Sequence, residues 1–356
     1  MKNHLLIFIL LIMLVGFGTS CSHRIVLPPG AIVEDGRYDT EFQGPEFAHA
    51  LDAISKSVLK IYCMVEYDHY QVDSNSPFTS KDLAAGQLQL RTIQRSNTIE
   101  SVYGSATLLS NDGGKLVLLT CAHIFDYPDT IISYYESNVK MKDPGIESVS
   151  IKRQQSQFIR EMPAGDLLKI IAIDFNLDIA FLGAKSNDES ISKLAPLNFA
   201  SGNDRLLDRG SQVYVFGFPA GYQMVTRAMV GNPTVGKQGD FLLDANFNQG
   251  ISGGAVLAVR DGMPNLELVG IAKSASAIYT NVLKPDNEID QQRYDPKQPY
   301  EGELFVERQR NVNYGVTFAI SINTIRNFYR LNSAKFAQSG YSLEKFFSSG
   351  SSRKRP

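Results

Sequence analysis

The chain is poor in the side chains that build metal centres. Its 356 residues include three cysteines and five histidines, and none of them falls in the spacings of a zinc site. It also lacks a charge of one sign. Against 35 basic residues stand 37 acidic ones, a net charge of −2, so no broad field draws it to nucleic acid or to an anionic membrane surface. There is no internal repeat. The body has no long hydrophobic run: the one apolar stretch, Leu5 to Phe17, lies at the N-terminus and is shorter than the ~20 residues a membrane-crossing helix needs. The last histidine is His123. What is present, 43% hydrophobic and 20% charged residues, excludes disorder over the full length. The length suits one large or two ordinary domains.

Met1-Lys2-Asn3-His4 is a short basic start to that apolar run, and Gly18-Thr19-Ser20-Cys21 follows it. This is the pattern of a secretory signal rather than a permanent anchor. The small residues before Cys21 resemble the lipobox of bacterial lipoproteins, although the usual Leu three places before the cysteine is Gly18 here. That resemblance implies a signal over residues 1–20, removed to leave Cys21 lipidated. Each buried acyl methylene would contribute about 0.8 kcal/mol of anchoring. Residues 21–47, with Pro28-Pro29-Gly30, read as a tether. The expected location is the bacterial cell envelope, lipid-anchored on the periplasmic side or cell surface, with Ser22 favouring the outer membrane. An oxidising compartment leaves Cys63 and Cys121 two options, a disulfide or two buried small hydrophobes, and the sequence does not choose between them.

The body reads as short β runs divided by turns. Ala48 to Ser57 has helical spacing. Val58 to Tyr67 reads as a strand, and Asp68 to Glu100 as a long polar loop with a helix near Leu83 to Leu90. Val102 to Leu109 and Lys115 to Thr120 are strands joined by Ser110-Asn111-Asp112-Gly113-Gly114, a hairpin signal because these residues tolerate positive φ. Further strands are expected at Ile131–Tyr135, Ser148–Lys152, Leu167–Asp174, Ile179–Leu182 and Gln212–Phe216. Met224–Val230, Ala255–Val259, Leu266–Ala272 and Gly315–Ile320 complete the series. A helix at Thr324–Leu331 closes the body, and a low-complexity basic tail begins at Ser348. Many short strands favour a sandwich or a pair of barrels over alternating α/β units.

Three segments carry chemistry. Leu119-Thr120-Cys121-Ala122-His123 follows a hairpin strand, Asp178-Ile179-Ala180-Phe181-Leu182 opens another, and Gly250-Ile251-Ser252-Gly253-Gly254 enters a third. A serine hydroxyl is a poor nucleophile at neutral pH, and a neighbouring imidazole can take its proton as bond formation begins. A carboxylate on the other ring nitrogen fixes the tautomer and stabilises the imidazolium. Glycines beside the serine let backbone N–H groups face a developing oxyanion, and losing one such donor typically costs about 3 kcal/mol in the transition state.

These segments resemble those of trypsin-like serine proteases of the chymotrypsin fold, most closely the bacterial Deg branch and the general trypsin-like peptidase group. Thr120-Cys121-Ala122-His123 is similar to the family's Thr-Ala-Ala-His. Asp178-Ile179-Ala180-Phe181-Leu182 is similar to Asp-Ile-Ala-Leu-Leu, and Gly250-Ile251-Ser252-Gly253-Gly254 to Gly-Asp-Ser-Gly-Gly. Gly104-Ser105-Ala106, Val215-Phe216-Gly217-Phe218-Pro219, Leu268-Val269-Gly270-Ile271 and Tyr314 to Ile320 add matches in the family's order. The resemblance implies an all-β fold: a double six-stranded antiparallel β-barrel, chymotrypsin/trypsin-like, with a short C-terminal helix. The domain would span 48–332, with the boundary between barrels near 190–210 and a tail over 333–356. It implies a serine endopeptidase acting on a polypeptide substrate, with His123 as general base, Asp178 as its orienter and Ser252 as nucleophile. The N–H groups of Gly250 and Ser252 would form the oxyanion hole. No metal or organic cofactor is expected.

The sequence departs from the family in several places. Ile251 replaces the Asp that pairs with a newly cut N-terminus in the digestive branch, so activation by that route is not expected. Few residues follow Arg330, so the peptide-binding domain of Deg proteases is not expected either. Asn246 stands at the base of the primary specificity pocket and offers no counter-charge. Lys273-Ser274-Ala275 would line the wall where substrate backbone pairs, with Lys273 as a rim or strand side chain. Together these favour small uncharged residues at the cleaved position. The polar insertion Thr280 to Asn313 is expected to shield or gate the cleft. Two other readings compete. The Gly-x-Ser-x-Gly elbow of α/β-hydrolases needs its His after the Ser, and none follows Ser252. The other is a catalytically silent protease-fold lipoprotein that only binds peptides.

Overall fold

The computed structural model describes residues 47–73, 78–135, 145–236, 238–262, 265–285, 297 and 304–348. The signal, Cys21, the tether and the basic end of the tail lie outside them. Among the described residues, fourteen strands form two seven-stranded sheets. The first holds β1 (Val58–Val72), β2 (Thr92–Asp112), β3 (Lys115–Thr120), β4 (Thr130–Tyr134), β5 (Ile146–Ile159), β6 (Lys169–Asp174) and β7 (Ile179–Lys185). The second holds β8 (Ala200–Ser201), β9 (Gln212–Gly217), β10 (Met224–Val235), β11 (Asp240–Leu243), β12 (Ala255–Val259), β13 (Leu266–Pro285) and β14 (Leu304–Ser321). The expected all-β architecture of two antiparallel barrels is the one observed.

The strand count needs correction. In the second sheet the order β12-β9-β10-β11-β14-β13 returns to β12 through a further β12–β13 pairing. This is a closed six-stranded barrel, and β8 is added to it in parallel on β13. The first sheet runs β4-β5-β1-β2-β3-β7-β6, one strand more than expected. It curls far enough for the Leu168 N–H, just before β6, to donate to Gln157 O on β5 at 2.8 Å. The extra strand, β4, pairs with the first half of β5. Ile132 and Tyr134 there pack on a satellite core of Tyr70, Val72, Phe78, Leu88, Ile146 and Val149.

Periodicity explains where the strands sit. In β1, Ile61, Cys63, Val65 and Tyr67 are buried while Lys60, Tyr62, Met64 and Glu66 are partly exposed, the alternation of a strand with one covered face. By contrast β7 is buried from Ile179 to Ala184, because helices cover its outer side. Phe181 meets Phe328 at 6.0 Å and Phe336 at 5.2 Å, contacts worth about 0.5–1.5 kcal/mol each beyond area burial. Phe336 and Phe347 belong to helices Ser333–Ser339 and Glu344–Ser348. The expected tail after residue 332 is therefore packed structure as far as these helices reach.

Two expected loops are ribbons. β1 and β2 stay paired out to Gln71↔Gln94, so both ends of the stretch read as a polar loop are strand. β13 and β14 pair from Gly270↔Ser321 to Pro285↔Leu304, so both ends of the expected insertion are strand. The hairpin between β2 and β3 is as read: Gly113 and Gly114 have φ of 57° and 88°, the backbone a tight two-residue turn requires.

Candidate active site

His123 sits in a 3-10 turn, Ala122–Phe125, immediately after β3. Thr120 Oγ1 holds the strand end by donating to Ser105 O at 2.6 Å. Asp178 closes the β6–β7 turn, in which Asp174 Oδ1 accepts from the N–H groups of Asn176 and Leu177, each at 2.9 Å. Asp178 takes φ of 59°, a left-handed conformation that Asp tolerates better than most residues. Its carboxylate meets His123 three times. Oδ1 accepts from the His123 backbone N–H at 2.9 Å, and Nδ1 lies 3.0 Å from Oδ1 and 2.9 Å from Oδ2. The Asp178 side chain is 9% exposed and the His123 ring 45%. The carboxylate is thus buried behind an imidazole whose other edge reaches solvent.

Ser252 lies on a loop whose shape depends on glycine. Gly250 and Gly253 have φ of 99° and 85°. A Cβ on Gly250 would lie 2.3 Å from Phe218 O, and one on Gly253 would lie 2.1 Å from Ser105 O, so no side chain fits at either position. Ser105 ties this loop to the first barrel. Its N–H donates to Ser252 O at 2.8 Å. Its Oγ donates to Gly250 O at 2.7 Å and accepts from the Phe218 N–H at 2.9 Å. Gly253 N–H donates to Ala272 O at 2.8 Å, and Cys121 Sγ reaches the same oxygen at 3.3 Å. These links bring the serine loop against the strand end that carries His123.

The Ser252 hydroxyl does not point to the imidazole. Oγ donates to Lys273 O at 2.9 Å. Lys273 is the extra residue of a bulge, between the pairs Ala272↔Ala319 and Ser274↔Phe318, which leaves its carbonyl outside the ladder. Of the two places expected for Lys273, rim or strand, the structure puts it in strand β13. Its Nζ lies 3.0 Å from Asp240 Oδ2, with the two side chains 22% and 11% exposed. Asp240 was not singled out in the sequence because nothing in β11's residues marks it, and its Oδ1 is buried without a hydrogen-bond partner. Asn246 is exposed, and the backbone of Ser274 and Ala275 pairs with Phe318 and Thr317. The N–H groups of Gly250 and Ser252 donate to no protein group among the described residues.

Both body cysteines are free and buried, which settles their pairing in favour of packed thiols. Burial pushes Cys63 up to about 11. Burial first, then the Asp178 charge, pushes Cys121 well above its ordinary value. Cys121, His123 and Asp178 hold their donor atoms within 4.8 Å of one another. A thiol held protonated and donating to a carbonyl is, however, a poor metal ligand, since metals bind thiolate.

Two barrels joined by a seam that carries a His, an Asp and a Ser, in that chain order, resemble the arrangement of trypsin-like serine proteases. Residues 104–271 match the family model of the trypsin-like peptidase domain, a span that contains all three side chains. The likeness read from the motifs is therefore shown. Among solved structures, the chain is similar to a serine endoprotease from Yersinia pestis, at 17% identity and a TM-score of 0.40, covering 82% of this chain and 68% of that one. No curated protein matches the sequence.

Proposed function

We propose that the protein is a serine endopeptidase that hydrolyses peptide bonds through an acyl-enzyme. The observation that carries this reading is the doubly held His123–Asp178 pair beside a glycine-flanked serine. On this reading the Ser252 hydroxyl gives up Lys273 O and turns, by a change of rotamer, toward the free edge of the His123 ring. Oγ then attacks the substrate carbonyl while His123 Nε2 takes its proton. The oxyanion is held by the N–H groups of Gly250 and Ser252. His123 returns the proton to the leaving amine as the C–N bond breaks, and water repeats the sequence on the ester to release the acid. Asp178 keeps the imidazole in the right tautomer and balances its charge. Asn246 and Lys273 to Ala275 are assigned to the substrate wall, and the outer ribbon of β13 and β14 to shielding of the cleft.

The Ser252–Lys273 hydrogen bond favours a second reading, a silent protease fold that binds peptides only. Covalent labelling by a fluorophosphonate probe separates the two. The wild type should label and Ser252→Ala should not, with melting temperature unchanged. A wild type that binds peptide but never labels would establish the silent reading.

The chain is also proposed to be a lipoprotein of the bacterial cell envelope, with the outer membrane favoured, on the strength of Gly18-Thr19-Ser20-Cys21 after an apolar run. No helix among the described residues is long and apolar enough to cross a membrane. Labelled palmitate should enter the wild type and not Cys21→Ser. Incorporation in both would exclude Cys21 as the site.

A further inference from the structure

A cavity of about 410 Å³ opens between the turn after β8, the end of β12 and the C-terminal helices. None of its lining residues belongs to the His123–Asp178–Ser252 site. Four guanidinium groups line it, from Arg205, Arg260, Arg326 and Arg330, with Glu344 as the single carboxylate residue of the lining. Among the lining residues themselves, four are basic and one is acidic. Two of the four are fixed in place. Arg326 donates to Ser201 Oγ and Gly202 O, both at 2.7 Å, and lies over the Phe347 ring at 6.0 Å. Arg260 is braced by Glu267 at 3.4 Å and Asp261 at 3.8 Å. Arg205 and Arg330 are exposed and pair with no carboxylate among the described residues.

The carboxylates nearby do little to neutralise those two. Glu344 Oε1 accepts from the Tyr329 hydroxyl at 3.1 Å. Asp204, buried beside Arg205, accepts from the Asn323 N–H at 2.9 Å, and burial raises its pKa. A guanidinium fork matches an oxyanion through two parallel N–H···O bonds. Arg260 already has Glu267 and Asp261 beside it, but Arg205 and Arg330 lack a carboxylate partner among the described residues, and a diphosphate presents oxygen edges in several directions to such groups. The volume lies within the ~300–1,000 Å³ usual for small-molecule sites.

We propose that this cavity binds a small, multiply charged phosphoryl anion of the diphosphate class, at a site separate from the peptide cleft. Isothermal titration calorimetry of the full chain with inorganic pyrophosphate, at constant ionic strength, tests it. Saturable binding is expected, weakened at least about tenfold in Arg205→Gln/Arg330→Gln, which removes two charge-assisted contacts. Both side chains are exposed, so the variant should melt with the wild type. Arg330→Lys, which keeps the charge and loses the fork, should fall between. Malonate should bind far more weakly than pyrophosphate. ADP binding tighter than pyrophosphate would assign a nucleotide as the source, and equal affinities an inorganic diphosphate. No saturable binding, equal affinity for malonate, or unchanged affinity in the double variant would overturn the proposal.

Discussion

The two barrels bring their chemical groups to the seam in different states of readiness. On the first, His123 and Asp178 are already joined, ring and backbone alike, by contacts between short elements that fold locally: a strand end, a 3-10 turn and a tight hairpin. On the second, Ser252 rides a loop that exists only because glycines permit it, and its hydroxyl is engaged by the bulged Lys273 carbonyl. The difference teaches which half of the site is rigid by construction. If the proposed mechanism holds, the half that would carry acid–base work needs no rearrangement. The half that would carry the nucleophile must release its hydroxyl from Lys273 O, and it depends on long-range ties through Ser105 and Ala272 to stay aligned.

The sharpest way to break this comparison is on the rigid half. In Asp178→Asn the amide can still accept from the His123 backbone N–H, so the turn and the melting temperature should be kept. Its NH2 group would face Nδ1, however, and hold the wrong imidazole tautomer. Peptide turnover should drop by about 10⁴-fold, as the same change does in serine proteases of known mechanism. Turnover within tenfold of the wild type would mean that the His–Asp pair is structural only.

How much of this was legible in the residues depends on what each segment faces. Strands with one covered side, such as β1, announce themselves by alternation. β3 and β12 do so by short unbroken apolar runs, and their observed limits equal the expected ones. The first half of β2 was not legible because it is exposed from Ile93 to Ser101, so no period appears and the stretch reads as a loop. The helices after residue 332 are too short to show a period of their own, and their phenylalanines make sense only against Phe181 and Tyr329. In the site, residue types pointed to His123, Asp178 and Ser252. The Lys273 bulge and the buried ion pair to Asp240 are products of register, which a strand pattern does not encode.

A smaller effect should come from Ser105, which sequence reading placed in a supporting motif without a role. Its buried hydroxyl serves two partners at once, the Gly250 carbonyl and the Phe218 N–H. Ser105→Ala leaves both unpaired at a cost of about 1–3 kcal/mol each. Part of that cost should appear as lost stability. If Ser105 is a positioning residue, the rest should appear as a tilted Gly250 peptide and a misaligned oxyanion donor. The probe-labelling rate and kcat should then fall about 10–100-fold with KM nearly unchanged, since a donor felt only in the transition state leaves ground-state binding alone. The His123–Asp178 contacts use no atom of the Ser105 side chain and should be untouched, so the pH profile should keep its shape. A variant with a lower melting temperature but the wild-type labelling rate would show that Ser105 only holds the barrels together. The ready half of the site would then be sufficient without a precisely held second half.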